Sequence, residues 1–434
     1  MDLKKANEFL SVNDNGHLTF EELDTVELAK KYGTPLYLMS ENSIKSNIKN
    51  YLDAIEESFG KRGHVAYACK AFCCKEMARL ADNQGLWLDV VSSGELYTAL
   101  SADFPAERII FHGNNKSNDE LKLAVDNSVG RIVVDNEYEL ERLINIAETT
   151  GKVQKIQIRL KPGVDPDTHQ YVRTGGINSK FGISLSDGTI DRIVRTANQC
   201  KAVKLVGIHC HIGSQILDYS VYFDAVDVMV KIISDINQNH NLSLEELNLG
   251  GGLGIYYKND ETPNIRDFVN DIHSSLVKSE QKYGIKIPAI YFEPGRSIVG
   301  NAGITLYKVG AIKKEEGLTS YLSVDGGMAD NPRYALYKSK YSIILANKAD
   351  KTEMEKFTVA GKCCESGDLL QEDVLIADAV PGDILAVLST GAYNYSMSSN
   401  YNRIPRPPVV MINKDTSRII VKRESLEDII RNDI

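Results

Sequence analysis

The stretch HVAYACKAFCCKEM, residues 64–77, decides the fold. Its first half alternates like a β-strand, and that strand closes on Lys70, a charge inside an otherwise apolar run. A buried charge costs folding energy unless something pairs with it. Beyond Phe72 the pattern turns helical, so the stretch reads as a strand feeding a helix.

From Gly63 to Arg296 the same unit recurs: a short apolar strand, a polar or glycine-rich turn, then an amphipathic helix. The strands are HVAYACK (64–70), LWLDVV (86–91), RIIFHG (108–113), RIVVDN (131–136), KIQIRL (155–160), VGIHCHIG (206–213), ELNLGG (246–251) and AIYFEPG (289–295). Helical patterns such as NEYELERLINIAETT (136–150) and YFDAVDVMVKIISDINQ (222–238) lie between them. ENSIKSNIKNYLDAIEESF (41–59), ahead of the first strand, completes an outer ring. Continuous apolar strands alternating with helices imply a parallel sheet covered on both faces. Eight units over roughly 250 residues predict an α/β fold of the (β/α)8 TIM-barrel type, whereas an open doubly wound sheet usually has about six strands.

After Arg296 short strands alternate with Gly, Pro and Asp turns, as in TSYLSVDGG, KFTVAGKCCESGD and PPVVMINKDTSRIIVKRES. This predicts a C-terminal all-β domain. The opening segments GHLTFEE and TPLYLMS also read as strands and are expected to join it. The expected domains are therefore a barrel over 41–296 and a β domain formed by 1–40 and 297–434.

Bulk properties exclude several classes. A net charge of −9 speaks against nucleic acid, whose phosphates demand a basic face. No apolar run approaches the ~20 residues of a membrane span, and the N-terminus lacks a signal-peptide core. Seven cysteines, two pairs of them adjacent and none in C-x-x-C, form neither a disulfide framework nor a zinc ribbon. That usage fits a cytoplasmic location with free thiols.

In such a barrel the chemistry lies at the C-terminal ends of the strands. There the sequence delivers Lys70, Asp89, His112, Arg159, HCHIGSQ (209–215), NLGGGLG (248–254) and EPGR (293–296). Lys70 has two readings: a stem lining the barrel with its amine in solvent, or a desolvated nucleophile that forms Schiff bases. Asp89 is its plausible ion partner. NLGGGLG is either a tight turn or a nest of N–H groups for a phosphate, with Arg296, Ser214 and Tyr393 as further donors. Glu293 is either a structural acid or the group that keeps a pyridine nitrogen protonated. His209 and His211 fit a metal pair poorly for want of further ligands; an imidazole stacked on a flat ring suits them better, and His209 also reads as a hydrogen-bonded core histidine. Together these residues point to pyridoxal 5′-phosphate and to no metal.

The motifs YACKAF, LDVVSSGELYTAL, SKFGI, HCHIGSQ, NLGGGLG, EPGRSIVG, DGGMADNPRYALY, CCESGD and GAYNYSMSSNYN run over nearly the whole chain. Through them it resembles the barrel-type pyridoxal-phosphate decarboxylases of basic amino acids, and within that family the branch acting on diaminopimelate. The resemblance implies a carboxy-lyase that turns meso-2,6-diaminopimelate into L-lysine and CO2, the last step of lysine biosynthesis. It makes Lys70 the Schiff-base (aldimine) lysine and His211 the ring-stacking histidine. Asp89, Ser214, Gly252, Pro294, Gly295, Arg296 and Tyr393 would contact the cofactor, with Glu293 at the pyridine nitrogen. The family's active site lies at a homodimer interface, so Cys364, the proton donor, and Glu365 would come from the other subunit.

Substrate choice follows from charge. Diaminopimelate carries a carboxylate beside its distal amine, whereas ornithine carries the amine alone. Arg333 and Tyr337 match the family positions that read that carboxylate, with Arg296 and Tyr393 nearby and Glu365 on the amine. Carboxynorspermidine, which also has a distal carboxylate, and other basic amino acids are the alternative substrates. A non-catalytic cofactor-binding relative is the remaining alternative. Two positions depart from the family: Tyr334 stands where proline is frequent, and TGGINSKFG (174–182) lacks acidic residues before Ser179, at Ile177 and Asn178.

Overall fold

A computed structural model describes residues 3–164, 179–185 and 188–434. The Ile177–Asn178 departure lies outside the described residues. The chain divides into two compact units, one of Ile48–Gly254 and Thr262–Gly295, the other of Met1–Asn47, Ile255–Glu261 and Arg296–Ile434.

The first unit is a closed barrel of eight parallel strands: Gly63–Ala68, Trp87–Val90, Ile109–Phe111, Arg131–Val134, Gln154–Arg159, Val203–His209, Glu246–Asn248 and Ala289–Phe292. Every strand expected from the sequence is present. The last one closes the sheet by pairing with the first, Tyr291 opposite His64. The strands are mostly buried because both faces are covered, by side chains inside and by helices outside. Arg131–Val134, for instance, is buried at all four positions. The helix Glu41–Phe59 begins and ends where its pattern predicts.

The first strand is shorter than expected. It stops at Ala68, and Lys70 sits in the 3₁₀ turn Cys69–Ala71 that follows. The turn lifts the charge out of the sheet, and the Lys70 side chain is half-buried, which eases its desolvation.

Polar groups close the N-terminal end of the barrel. Arg131 and Glu246, each the first residue of its strand, are joined by Nε–Oε2 (3.1 Å) and Nη2–Oε1 (2.6 Å) bonds. Gln157 Nε2 donates to Glu246 Oε2 at 2.8 Å, and the Arg131 guanidinium lies 4.5 Å from the Trp87 ring centre. These bonds compensate the burial of both charges.

The second unit is built on a nine-stranded sheet. Leu36–Ser40, from TPLYLMS, lies inside it, antiparallel to Gly303–Lys313 and parallel to Val409–Asn413. The N-terminal strands thus belong to the β domain, though GHLTFEE does so separately. Its strand Leu18–Phe20 forms a small three-stranded sheet with Leu10–Val12 and Leu23–Asp24. Among the described residues no helix is long and apolar enough to cross a membrane.

Candidate active site

Strand ends three, six, seven and eight deliver His112, His209, Asn248 and Glu293 to one buried point. Glu293 Oε1 accepts from His112 Nε2 at 2.8 Å and from Asn248 Nδ2 at 2.7 Å. Its Oε2 accepts from His209 Nε2 at 3.2 Å. A carboxylate offers about four acceptor sites, so one on Oε2 is left. Burial alone would push the Glu293 pKa up, but the two histidines outweigh it and hold the carboxyl well below the usual carboxylate range. The same burial pushes His209 down to about 3. His209 is therefore neutral, donates through Nε2, and has no partner at Nδ1 among the described residues. It is the hydrogen-bonded core histidine that its sequence allowed. His112, His209 and Glu293 also bring their ligand atoms within 4.8 Å of one another, but the hydrogen bonds to Glu293 already employ both Nε2 atoms.

Asp89 is buried next to this group; its Oδ1 lies 3.8 Å from His112 Nε2 and, among the described residues, has no hydrogen-bond partner. Burial and the Glu293 charge push its pKa up, while His112, Lys70 and Arg159 pull it back in part. Glu95 is an acid that sequence reasoning missed. It lies one turn into the helix Ser93–Leu100, accepts from Val91 N–H at 2.8 Å, and is pushed by burial to about 7. His211, in the turn beyond the sixth strand, is driven well below its ordinary pKa by burial and then by the charges of Lys70 and Arg159.

NLGGGLG forms the turn after the seventh strand. Gly250 and Gly252 have φ of +68° and +132°, values that favour glycine. A Cβ on Gly251 would lie 2.0 Å from the Glu293 carbonyl oxygen, and one on Gly252 2.5 Å from that of Gly213. Among the described residues, the N–H groups of Gly251 and Gly252 donate to no protein acceptor. Two adjacent undonated amides at a strand end form an anion nest, which fits a phosphate. Ser214 is half-buried in the preceding turn.

Within the β unit a second set of groups gathers. The Arg296 guanidinium bonds the Tyr257 hydroxyl and lies 4.7 Å from the Tyr393 ring centre. Arg333 lies 5.5 Å from the same Tyr393 ring and 5.3 Å from that of Tyr337. Tyr393 has φ of +66°, a strained value for a non-glycine residue of the kind found at functional positions. Arg333 is 6% exposed, not the surface arginine that its type alone suggests. It donates to Ser339 Oγ at 3.3 Å, and its Nε has no acceptor among the described residues. Tyr257 was missed because its segment, Ile255–Glu261, lies within the barrel sequence yet packs in the β unit. Tyr334 is buried and bonds Glu372 through its hydroxyl. Cys363 is buried, whereas Cys364 is exposed and donates through its backbone N–H to Asn402 Oδ1 at 2.7 Å. Glu365 Oε2 accepts from the Tyr401 hydroxyl at 3.4 Å.

A lysine at the first strand end, an ionised acid with spare acceptor capacity and an anion nest match the three ends of a phosphorylated pyridine aldehyde. Residues 43–300 match the family of pyridoxal-dependent decarboxylases in its pyridoxal-binding domain. The barrel is that of a pyridoxal-dependent decarboxylase, and pyridoxal 5′-phosphate is its cofactor. Diaminopimelate decarboxylase of Bacillus subtilis is 45% identical over 97% of this chain and 96% of its own. The Staphylococcus aureus enzyme of the same name is 42% identical over 97% and 98%. The crystal structure of diaminopimelate decarboxylase from M. jannaschii superimposes with a TM-score of 0.91 at 35% identity, over 99% of this chain and 98% of that one. The chain belongs to the diaminopimelate decarboxylase family.

Proposed function

We propose that the protein decarboxylates meso-2,6-diaminopimelate to L-lysine and CO2, the last step of lysine biosynthesis, as a cytoplasmic homodimer. The relatives bear the name of that activity, and the Helicobacter pylori structure, 32% identical with a TM-score of 0.86, contains L-lysine.

When bound, pyridoxal 5′-phosphate supplies a protonated ring that accepts the electron pair left by the departing carboxylate. Lys70 is the amine that carries the cofactor, and Asp89 balances its charge. Glu293 keeps a proton on the pyridine nitrogen, for which its ionised state and remaining Oε2 acceptor site suit it. His211, held neutral, packs on the ring. Ser214, Gly252, Pro294, Gly295, Arg296 and Tyr393 hold the cofactor, mainly at its phosphate. Cys364 of the partner subunit delivers the proton to the α-carbon, and Glu365 of the partner subunit takes the distal ammonium.

One observation carries the choice of substrate. Arg333 is buried and, among the described residues, has no carboxylate bonded to it and no acceptor for its Nε. A buried guanidinium is costly until an anion joins it, and the distal carboxylate of diaminopimelate, read with Tyr337 and Arg296, is such an anion. An arginine there repels the bare ammonium of ornithine.

The test is CO2 release by the cofactor-loaded enzyme from meso-diaminopimelate, ornithine, arginine and carboxynorspermidine. Release from diaminopimelate alone, with lysine formed, is expected. Release from a different substrate instead overturns the distal-site reading.

A further inference from the structure

We propose that Tyr222, on the outer helix Val221–His240, is a positioning residue that aims the Gly252 N–H at the cofactor phosphate. This rests on the reading of the NLGGGLG turn as the phosphate cradle.

Three successive carbonyls of the turn are each claimed by a donor. Gly250 O accepts from Glu293 N–H at 2.8 Å, and Gly252 O from Ile216 N–H at 2.9 Å. Gly251 O accepts from the Tyr222 hydroxyl at 2.7 Å. In a trans peptide the C=O and the following N–H point in opposite directions. Fixing the Gly251 carbonyl therefore fixes the Gly252 N–H, aimed away from Tyr222. Of the three donors, Tyr222 alone is a side chain.

The tyrosine is built to hold that direction. Its residue is 2% exposed, and its ring meets Phe268 edge-on at 5.2 Å between centres. Behind the glycines, Tyr51, Tyr222, Phe268 and Phe292 line only a small void of about 10 Å³, so the phenol has no room to swing. Burial holds its pKa well above the ordinary value, so the hydroxyl remains a donor. An ideal Cβ on Gly252 would lie 2.6 Å from this hydroxyl, so glycine and tyrosine are mutually fitted. No strand or helix pattern in the sequence connects residue 222 with residue 251, because barrel closure brings them together.

The experiment compares two ligands on the full-length chain. Pyridoxal 5′-phosphate and pyridoxal share the aldehyde and ring and differ only in the phosphate. Each is titrated into cofactor-stripped wild type, Tyr222→Phe and Gly252→Ala, with binding read from absorbance and folding checked by melting without cofactor. Tyr222→Phe removes one oxygen and keeps the packed ring. It is expected to weaken the phosphorylated ligand by about 10-fold, the scale of one lost hydrogen bond, and to leave pyridoxal unchanged. Equal weakening of both ligands means that Tyr222 is merely structural, and no weakening of either means that it does not aim the amide; either result overturns the inference. Gly252→Ala tests the underlying reading separately. If it keeps the wild-type preference for the phosphorylated ligand, the cradle itself is misplaced, whatever Tyr222→Phe does.

Discussion

His112 and Glu293, on the third and eighth barrel strand ends, share a hydrogen bond of 2.8 Å between Nε2 and Oε1. With His209 and Asn248 this bond keeps a fully buried carboxyl ionised. Glu293→Gln should therefore act in two ways. Its single carbonyl oxygen cannot accept from donors on both sides, so one histidine N–H loses its partner, at a cost of about 1–3 kcal/mol. A neutral amide also no longer holds a proton on the pyridine nitrogen, and kcat should fall on the order of 10²-fold. Chemical denaturation and steady-state kinetics on one preparation separate the two effects.

The same cluster sets an acid limit. His209 titrates near 6.5 when unfolded and about 3 when folded, so across that window the unfolded chain binds more protons. Stability then rises with pH in the window and is lost as pH falls from about 6.5 towards 3. Glu293, depressed below its ordinary carboxyl value of 4.5, adds loss of the same sign below that point. Melting temperatures measured between pH 8 and 4 should hold down to about pH 6.5 and fall below it, and His209→Asn should flatten the upper part of that slope. An unchanged slope in the variant would show that His209 is not the titrating group.

Arg333→Met should raise stability and lower function together. The free protein sheds a buried guanidinium that has no carboxylate partner among the described residues, and replacing buried charge by packed apolar volume is often neutral or stabilising by about 1–4 kcal/mol. Transition-state binding of diaminopimelate should lose about 2–5 kcal/mol in kcat/KM, the cost of removing one partner from a buried charge pair. Any activity on ornithine should not fall. A parallel loss on both substrates would place Arg333 outside substrate discrimination.

The barrel was legible because eight short strand patterns, most of them apolar runs bounded by turn residues, alternate with helical ones, a pattern that both-face burial forces. The polar strand ends were legible for the same reason, since a polar group directly after such a run has one place to go. Partnership was not. His112, Asn248 and Glu293 lie on strands far apart in sequence, and barrel closure creates their mutual bonds. The nest showed as glycines, while the donor behind it, Tyr222, is an ordinary helix residue by its pattern. Ile255–Glu261 reads as part of the barrel, yet Tyr257 bonds Arg296 in the β unit, a relationship set by tertiary packing alone.

Cys364 gives a prediction at the proposed proton-transfer step. It is the exposed member of an adjacent pair whose other thiol is buried, so a thiol reagent in mild excess should modify Cys364 before Cys363. Cys364→Ala should lower kcat by about 10²–10⁴-fold, the usual worth of a positioned acid, with little change in KM. If kcat survives the substitution, the proton comes from another group.

The other end of the barrel should behave in the opposite sense. Arg131→Met leaves Glu246 buried without its cation, and breaking such a pair from one side costs about 3–5 kcal/mol. Removing both charges with Glu246→Leu should cost less than the sum of the two single changes, because neither then strands the other. Active sites of such barrels lie at the C-terminal face, and this pair begins its strands at the N-terminal face. Turnover per folded molecule should therefore remain at the wild-type level in all three variants, provided the assay temperature stays below their lowered melting points. Denaturant midpoints together with kcat corrected for folded fraction check this. A drop in kcat at full folding would show that the barrel floor transmits strain to the strand ends that carry Glu293 and Lys70.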